Sequence, residues 1–100
     1  MATVIVLYKT PKNPATFASE YNTVHIPLAR KLPGLRKYEI SQGAVATPSG
    51  PSAYRLIATL TFDNLSAIQA AFASPEGQAA AAHAATLADL EILIFENQTV

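Results

Sequence analysis

The chain has no cysteine and no tryptophan, and only 14 % of its 100 residues are charged. Without cysteine there is no disulfide, no thiolate to ligate a metal and no thiol nucleophile, a composition that fits a reducing compartment without requiring one. Seven Lys and Arg are balanced by seven Asp and Glu. No excess positive charge is left to neutralise phosphates, which argues against a nucleic-acid partner. No apolar run reaches the roughly 18 residues that a membrane-spanning helix needs. Met1-Ala2-Thr3-Val4 carries no basic flank, so the amino terminus does not read as a signal peptide and a cytoplasmic location is expected. Also missing are a Gly-rich phosphate loop, GxSxG, and ligand-spaced histidines such as HxxxH or HExxH, so neither a cofactor nor a metal is expected.

What is present is largely apolar. Half of the residues are hydrophobic, against a charged fraction well below the roughly 25 % of an average globular chain, which excludes disorder. Residues 1–100 make one domain. A domain of this size buries only about 65 % of the surface its unfolded chain exposes. With so few charges to cover the remainder, some of the apolar surface is expected to meet another subunit.

Val4-Ile5-Val6-Leu7-Tyr8 is short, β-branched and apolar on both alternating faces, the pattern of a central strand. The two prolines of Thr10-Pro11-Lys12-Asn13-Pro14 end it. Phe17, Tyr21, Val24, Leu28 and Leu32 then recur at three and four residues, predicting an amphipathic helix over residues 15–32. Pro27 falls inside it and predicts a kink or break near His25. Leu35 to Gly43 reads as an edge strand, with Tyr38, Ile40 and Gln42 on one face. Ala44 to Ser52 reads as a connecting loop. Tyr54 to Phe62 is the clearest strand, with Tyr54, Leu56, Ala58, Leu60 and Phe62 on one side. Asp63 or Asn64 caps a second helical region striped by Leu65, Ile68 and Phe72. Ser74-Pro75-Glu76 restarts it, and the alanine run from Ala79 to Ala82 continues it. Leu90 to Phe95 is a last strand.

The order β-α-β-β-α-β defines an α+β, ferredoxin-like arrangement with a four-stranded antiparallel sheet and helices on one face. Two helices shelter one face only, yet three strands carry apolar or Thr side chains on both. A partner sheet stacked there predicts a face-to-face homodimer.

Few residues suit chemistry. His25 follows Tyr21 by four residues, so the two share a helix face beside an apolar stripe. A neutral imidazole there is suited to acid–base work near pH 7, and a core histidine tied to a backbone carbonyl is the alternative. His83, in the alanine-rich helix without a charged neighbour in sequence, reads as filler. Tyr38 is placed to donate a hydrogen bond to a ligand oxygen, or to bury its ring and wet its hydroxyl. Arg30, Lys31, Arg36 and Lys37 read as a solvated basic cluster around the end of the first helical region. The four glycines read as turn and cap residues.

Tyr21-Asn22-Thr23-Val24-His25-Ile26-Pro27-Leu28, with Leu32-Pro33-Gly34-Leu35-Arg36-Lys37-Tyr38-Glu39 and Ser74-Pro75-Glu76-Gly77-Gln78-Ala79, resembles the signature of the EthD family. The pattern is an aromatic followed by His-x-Pro-Leu, then Pro-Gly-Leu with a basic residue, Tyr and Glu, and the similarity runs through the whole chain. The resemblance implies a dimeric α+β barrel of two ferredoxin-like subunits. It also implies a link to catabolism, since the family is named for a protein associated with ethyl tert-butyl ether degradation alongside a cytochrome P450 system. The wider superfamily includes muconolactone and methylmuconolactone isomerases, heme-degrading and quinol-forming monooxygenases and polyketide cyclases. In the methylmuconolactone enzymes the equivalent His and Tyr lie at the active cleft, which points to His25 and Tyr38 here. The expected function is that of a small-molecule protein with His25 shuttling a proton and Tyr38 hydrogen-bonding an oxygenated organic ligand. Tyr21, Leu56, Leu60 and Phe62 are expected to wall the cleft between helices and sheet. The alternatives are a non-catalytic, ligand-binding accessory to an oxygenase, and an isomerase or cofactor-free monooxygenase. Heme chemistry is not expected, since His25 has no second feature of a porphyrin site beside it.

Overall fold

Alternation and proline placement account for most of the architecture. The computed structural model describes residues 1–100. Its elements are β1 (Ala2–Lys9), α1 (Pro14–Glu20), a π-helical turn (Tyr21–His25), α2 (Ile26–Arg30), β2 (Lys37–Ile40), β3 (Ala46–Thr47), β4 (Gly50–Pro51), β5 (Tyr54–Phe62), α3 (Leu65–Ala73), α4 (Pro75–Leu87) and β6 (Leu90–Glu96). The main sheet runs β2-β5-β1-β6, antiparallel throughout. β1 is central, as its apolar faces predict, with β5 beside it; β2 lies at one edge, as predicted, and the apolar β6 at the other. This is the ferredoxin-like fold. No helix is long and apolar enough to cross a membrane.

Register sets the core. Val4 pairs with Leu60 and Val6 with Ala58 on one side of β1. Val4 pairs with Ile94 and Val6 with Ile92 on the other. Because side chains alternate between faces, Val4, Val6 and Tyr8 point with Leu56, Ala58, Leu60 and Phe62 toward the helices. There they are buried with Ile68 and Ala71 of α3 and Ala80 and Ala84 of α4. The alanines let α4 approach closely. Gly77 carries this furthest. It lies within α4 rather than in a turn or cap, and a Cβ there would run into the Ala71 carbonyl oxygen and stand 2.6 Å from the Phe72 Cα.

Two local readings change, and the choice between two caps resolves. β2 is four residues long rather than spanning Leu35 to Gly43. The connecting loop contains a small hairpin, β3 on β4. Of the two candidate caps Asn64 is the one used, accepting from the Ala67 N–H, while Asp63 makes a two-pronged bond to Arg36 (Nε–Oδ1 3.0 Å, Nη2–Oδ2 2.8 Å). Ser74 caps α4 through its bond from the Gly77 N–H, with Pro75 in the first turn, as its sequence predicts.

The sheet face away from the helices is largely uncovered within the chain, Thr3, bonded to Asn97, being its one buried residue. Ile5, Leu7, Ile57, Thr59 and Thr61 are partly exposed on it, and Leu93 and Phe95 of β6 are exposed. The helices also stop short of β6, whose inward-facing Ile92 and Ile94 are 45 % and 52 % exposed.

Candidate functional site

Pro27 shapes the site. In an α-helix its ring would clash with the carbonyl four residues back, and it has no N–H to donate. Instead of kinking or breaking, the chain widens: the Ile26 N–H reaches the Tyr21 carbonyl, five residues back. Such π turns are rare and concentrate at functional positions. The first and last residues of this one, Tyr21 and His25, are its two buried side chains, with ring centroids 5.1 Å apart.

Tyr8, from the middle of the core, meets both. Its ring packs edge-on against Tyr21 at 5.6 Å, and its hydroxyl lies 3.3 Å from His25 Nε2. His25 Nδ1 faces His83 Nδ1 at 3.1 Å, with the two rings edge to edge, their planes 19° apart and their centroids 5.3 Å apart. His83 Nε2 lies 3.3 Å from Glu20 Oε2 at the surface. Tyr8, His25, His83 and Glu20 thus form an unbroken polar chain from the core to solvent. Beside it, the Tyr21 and Tyr38 hydroxyls share a 2.6 Å bond. No buried side-chain nitrogen or oxygen lacks a partner.

Burial dominates the electrostatics. His25 is 6 % exposed, and burial first, then the neighbouring His83, pushes its pKa down from 6.5 to about 4. His25 is therefore neutral at pH 7. Burial raises the phenols of Tyr8 and Tyr21, and Tyr21 is raised further by its bond to Tyr38. Tyr38 is raised by burial, opposed by its bond to Tyr21 and by the positive charge of Arg30.

Tyr8, Tyr21, His25 and Tyr38 line an otherwise apolar cavity of about 40 Å³ with Val6, Leu60 and Ile92, among others. On the far side of the polar chain, a surface groove of about 640 Å³ is lined by Glu20, His83, Phe17, Lys12 and Asp89, among others. The structure thus brings together four of the six residues expected to matter: His25, Tyr38, Tyr21 and Leu60. Leu56 and Phe62 are core residues on the same sheet face and do not line the cavity. The backbone-carbonyl alternative for His25 is not what is seen, since its nitrogens meet His83 and Tyr8. His83 is not filler. It lies 58 positions from His25 in sequence, and no local spacing signals the pair. Tyr8, read as a strand residue, also belongs to the site.

The EthD domain matches residues 9–91. The chain belongs to the EthD family. An uncharacterised 11.0 kDa protein from the thcB-thcC intergenic region of Rhodococcus erythropolis is 35 % identical over 102 residues, covering 100 % of this chain and 98 % of its own length. The crystal structure of an ethyl tert-butyl ether D (EthD) family protein from Bacillus halodurans superposes with a TM-score of 0.90 at 32 % identity, covering 98 % of this chain and 99 % of that one. A dimeric ferredoxin-like protein of unknown function from Thermobifida fusca shares the fold at a TM-score of 0.71 and 20 % identity, over 94 % of this chain and 88 % of that one. In this EthD chain, Tyr21 to His25, the aromatic-to-His part of the family resemblance, forms the π turn, and Pro27 follows it in the first turn of α2.

Proposed function

We propose that this EthD-family chain is a small-molecule protein of a catabolic pathway that handles a proton on an oxygenated organic ligand. The observation that carries this reading is the neutral, buried His25 on the wall of an apolar cavity that also presents three phenols. His25 accepts or returns the proton, and Tyr38 donates a hydrogen bond to a carbonyl or developing enolate oxygen. A cavity of about 40 Å³ takes only the oxygenated head of such a ligand, because a whole drug-sized molecule occupies roughly 300 Å³ or more. The apolar remainder lies along Ile92 and Ile94, the exposed inward side of β6.

The apolar lining of the cavity, with Val6, Leu60 and Ile92, also fits a second reading, a non-catalytic binder that holds a hydrophobic product. A thermal-shift screen against small esters, lactones, quinones and tertiary alcohols, followed by a turnover assay on each hit, separates the two. Binding raises the melting temperature in either case. Turnover that falls about a hundredfold in His25→Gln supports catalysis, and binding without turnover supports the second reading.

The same proposal includes a homodimer through the open sheet face. The uncovered Leu93 and Phe95 beside Ile5 and Ile57 support it, as does the description of the Thermobifida fusca neighbour as dimeric.

A further inference from the structure

A buried ring that binds protons as weakly as His25 is a poor base if it must keep the charge. The side chains behind it remove that requirement. The two facing Nδ1 atoms, 3.1 Å apart, hold one proton between them, since one must donate and the other accept. We propose that His83 is a positioning residue that sets the His25 tautomer and, with Glu20, carries the proton from His25 out to the surface groove. This inference rests on the reading of His25 as the proton-handling group and extends it to two residues outside the cavity.

The bookkeeping closes on one proton. At rest the Tyr8 hydroxyl donates to His25 Nε2, His25 Nδ1–H donates to His83 Nδ1, and His83 Nε2–H donates to the Glu20 carboxylate. Both rings are neutral. When a proton arrives at His25 Nε2, the Tyr8 O–H rotates its hydrogen away and the His25 Nδ1 proton crosses to His83 Nδ1. His25 is left neutral as the opposite tautomer, and its Nε2–H now donates to the Tyr8 oxygen. The positive charge stands on His83, against a carboxylate at 3.3 Å, and leaves from there to solvent. The buried ring never holds it.

Few other charged or titratable groups face the pair. Tyr8 comes from β1, and Tyr21 from the π turn, with Tyr38 of β2 bonded behind it. Arg30 lies on α2, which packs against α4, and α3 carries no titratable group. Lys12 and Asp89 stand on the walls of the groove. Glu20 alone is bonded to His83 Nε2.

Long-range ¹H–¹⁵N spectra of the imidazoles in the labelled full chain, from about pH 8 to about pH 4.5, read each tautomer directly. The expected result is that His25 changes from the Nδ1–H to the Nε2–H form at the pH where His83 gains its second proton, while His25 stays neutral. In His83→Gln the swap is lost. In Glu20→Gln, which leaves the two rings facing each other, it survives. A His25 tautomer that stays constant while His83 titrates in the wild-type chain overturns the proposal, as does an unchanged swap in His83→Gln. The swap needs no ligand. A failed ligand screen therefore leaves this test standing, and a missing swap leaves any His25-dependent turnover intact.

Discussion

His25 and His83 meet Nδ1 to Nδ1 at 3.1 Å with their ring planes only 19° apart, so the protonation of one determines the tautomer of the other. The contact depends on the π turn that Pro27 imposes and on the alanine-rich α4, whose small side chains bring His83 within reach. A chain-breaking residue and a bland helix together assemble the most polar part of the interior.

Acid stability follows from the lowered pKa of His25. The unfolded ring takes a proton near pH 6.5, whereas the folded ring resists until about pH 4. Between those values the unfolded state holds more protons, so stability falls as pH drops through this window and is fully present above it. The loss is up to about 3 kcal/mol. Urea unfolding at pH 7 and pH 4.5 measures it, and His25→Gln is expected to flatten the difference.

The bonded hydroxyls of Tyr21 and Tyr38 form a coupled pair. Tyr38→Phe leaves the buried Tyr21 hydroxyl without its partner and is expected to cost about 1–3 kcal/mol. Adding Tyr21→Phe removes the orphan, so the double variant is expected to lose less than the sum of the two single losses. A double-mutant cycle by chemical denaturation reads the difference.

Gly77→Ala offers a sharp test of packing. Helix propensity alone favours alanine by about 1 kcal/mol. The collision with the backbone of Ala71 and Phe72 opposes it, and because backbone cannot swing aside, the net effect is expected to be a destabilisation of about 1–3 kcal/mol. A raised melting temperature in this variant would show that α3 and α4 are not so closely apposed.

On the open sheet face, Leu93→Glu is expected to yield monomers at concentrations where the wild-type chain sediments as a dimer, since a charge buried between two apolar sheets is costly. Sedimentation velocity distinguishes the species. Equal sedimentation of both proteins, each as a monomer, would remove the homodimer from the proposal.

Much of the fold was legible because it rests on local patterns. Tyr54–Phe62 alternates cleanly and is a strand over those residues, and Ser74-Pro75 starts α4 where cap chemistry says it should. The site was legible only in part. His25, Tyr38 and Tyr21 carry the family signature, and Leu60 follows from alternation. Leu56 and Phe62 share that alternation, yet position along the strand keeps them in solid core. His83 and Glu20 were invisible because their meaning depends on how α4 crosses the first helical region, a long-range packing relation with no local spacing. The π turn was half visible: Pro27 marks the disturbance, but a proline is met by a kink, a break or a widened turn, and no local spacing distinguishes them.

The most direct measurement is a crystal structure of the chain soaked with γ-butyrolactone, a small ester with one carbonyl oxygen to present. The lactone oxygen is expected within hydrogen-bond distance of Tyr38 or His25, with the ring carbons toward Ile92. A lactone found only in the outer groove, or a cavity that stays closed to it while the groove fills, would contradict the assignment of the His25–Tyr38 cavity as the ligand site.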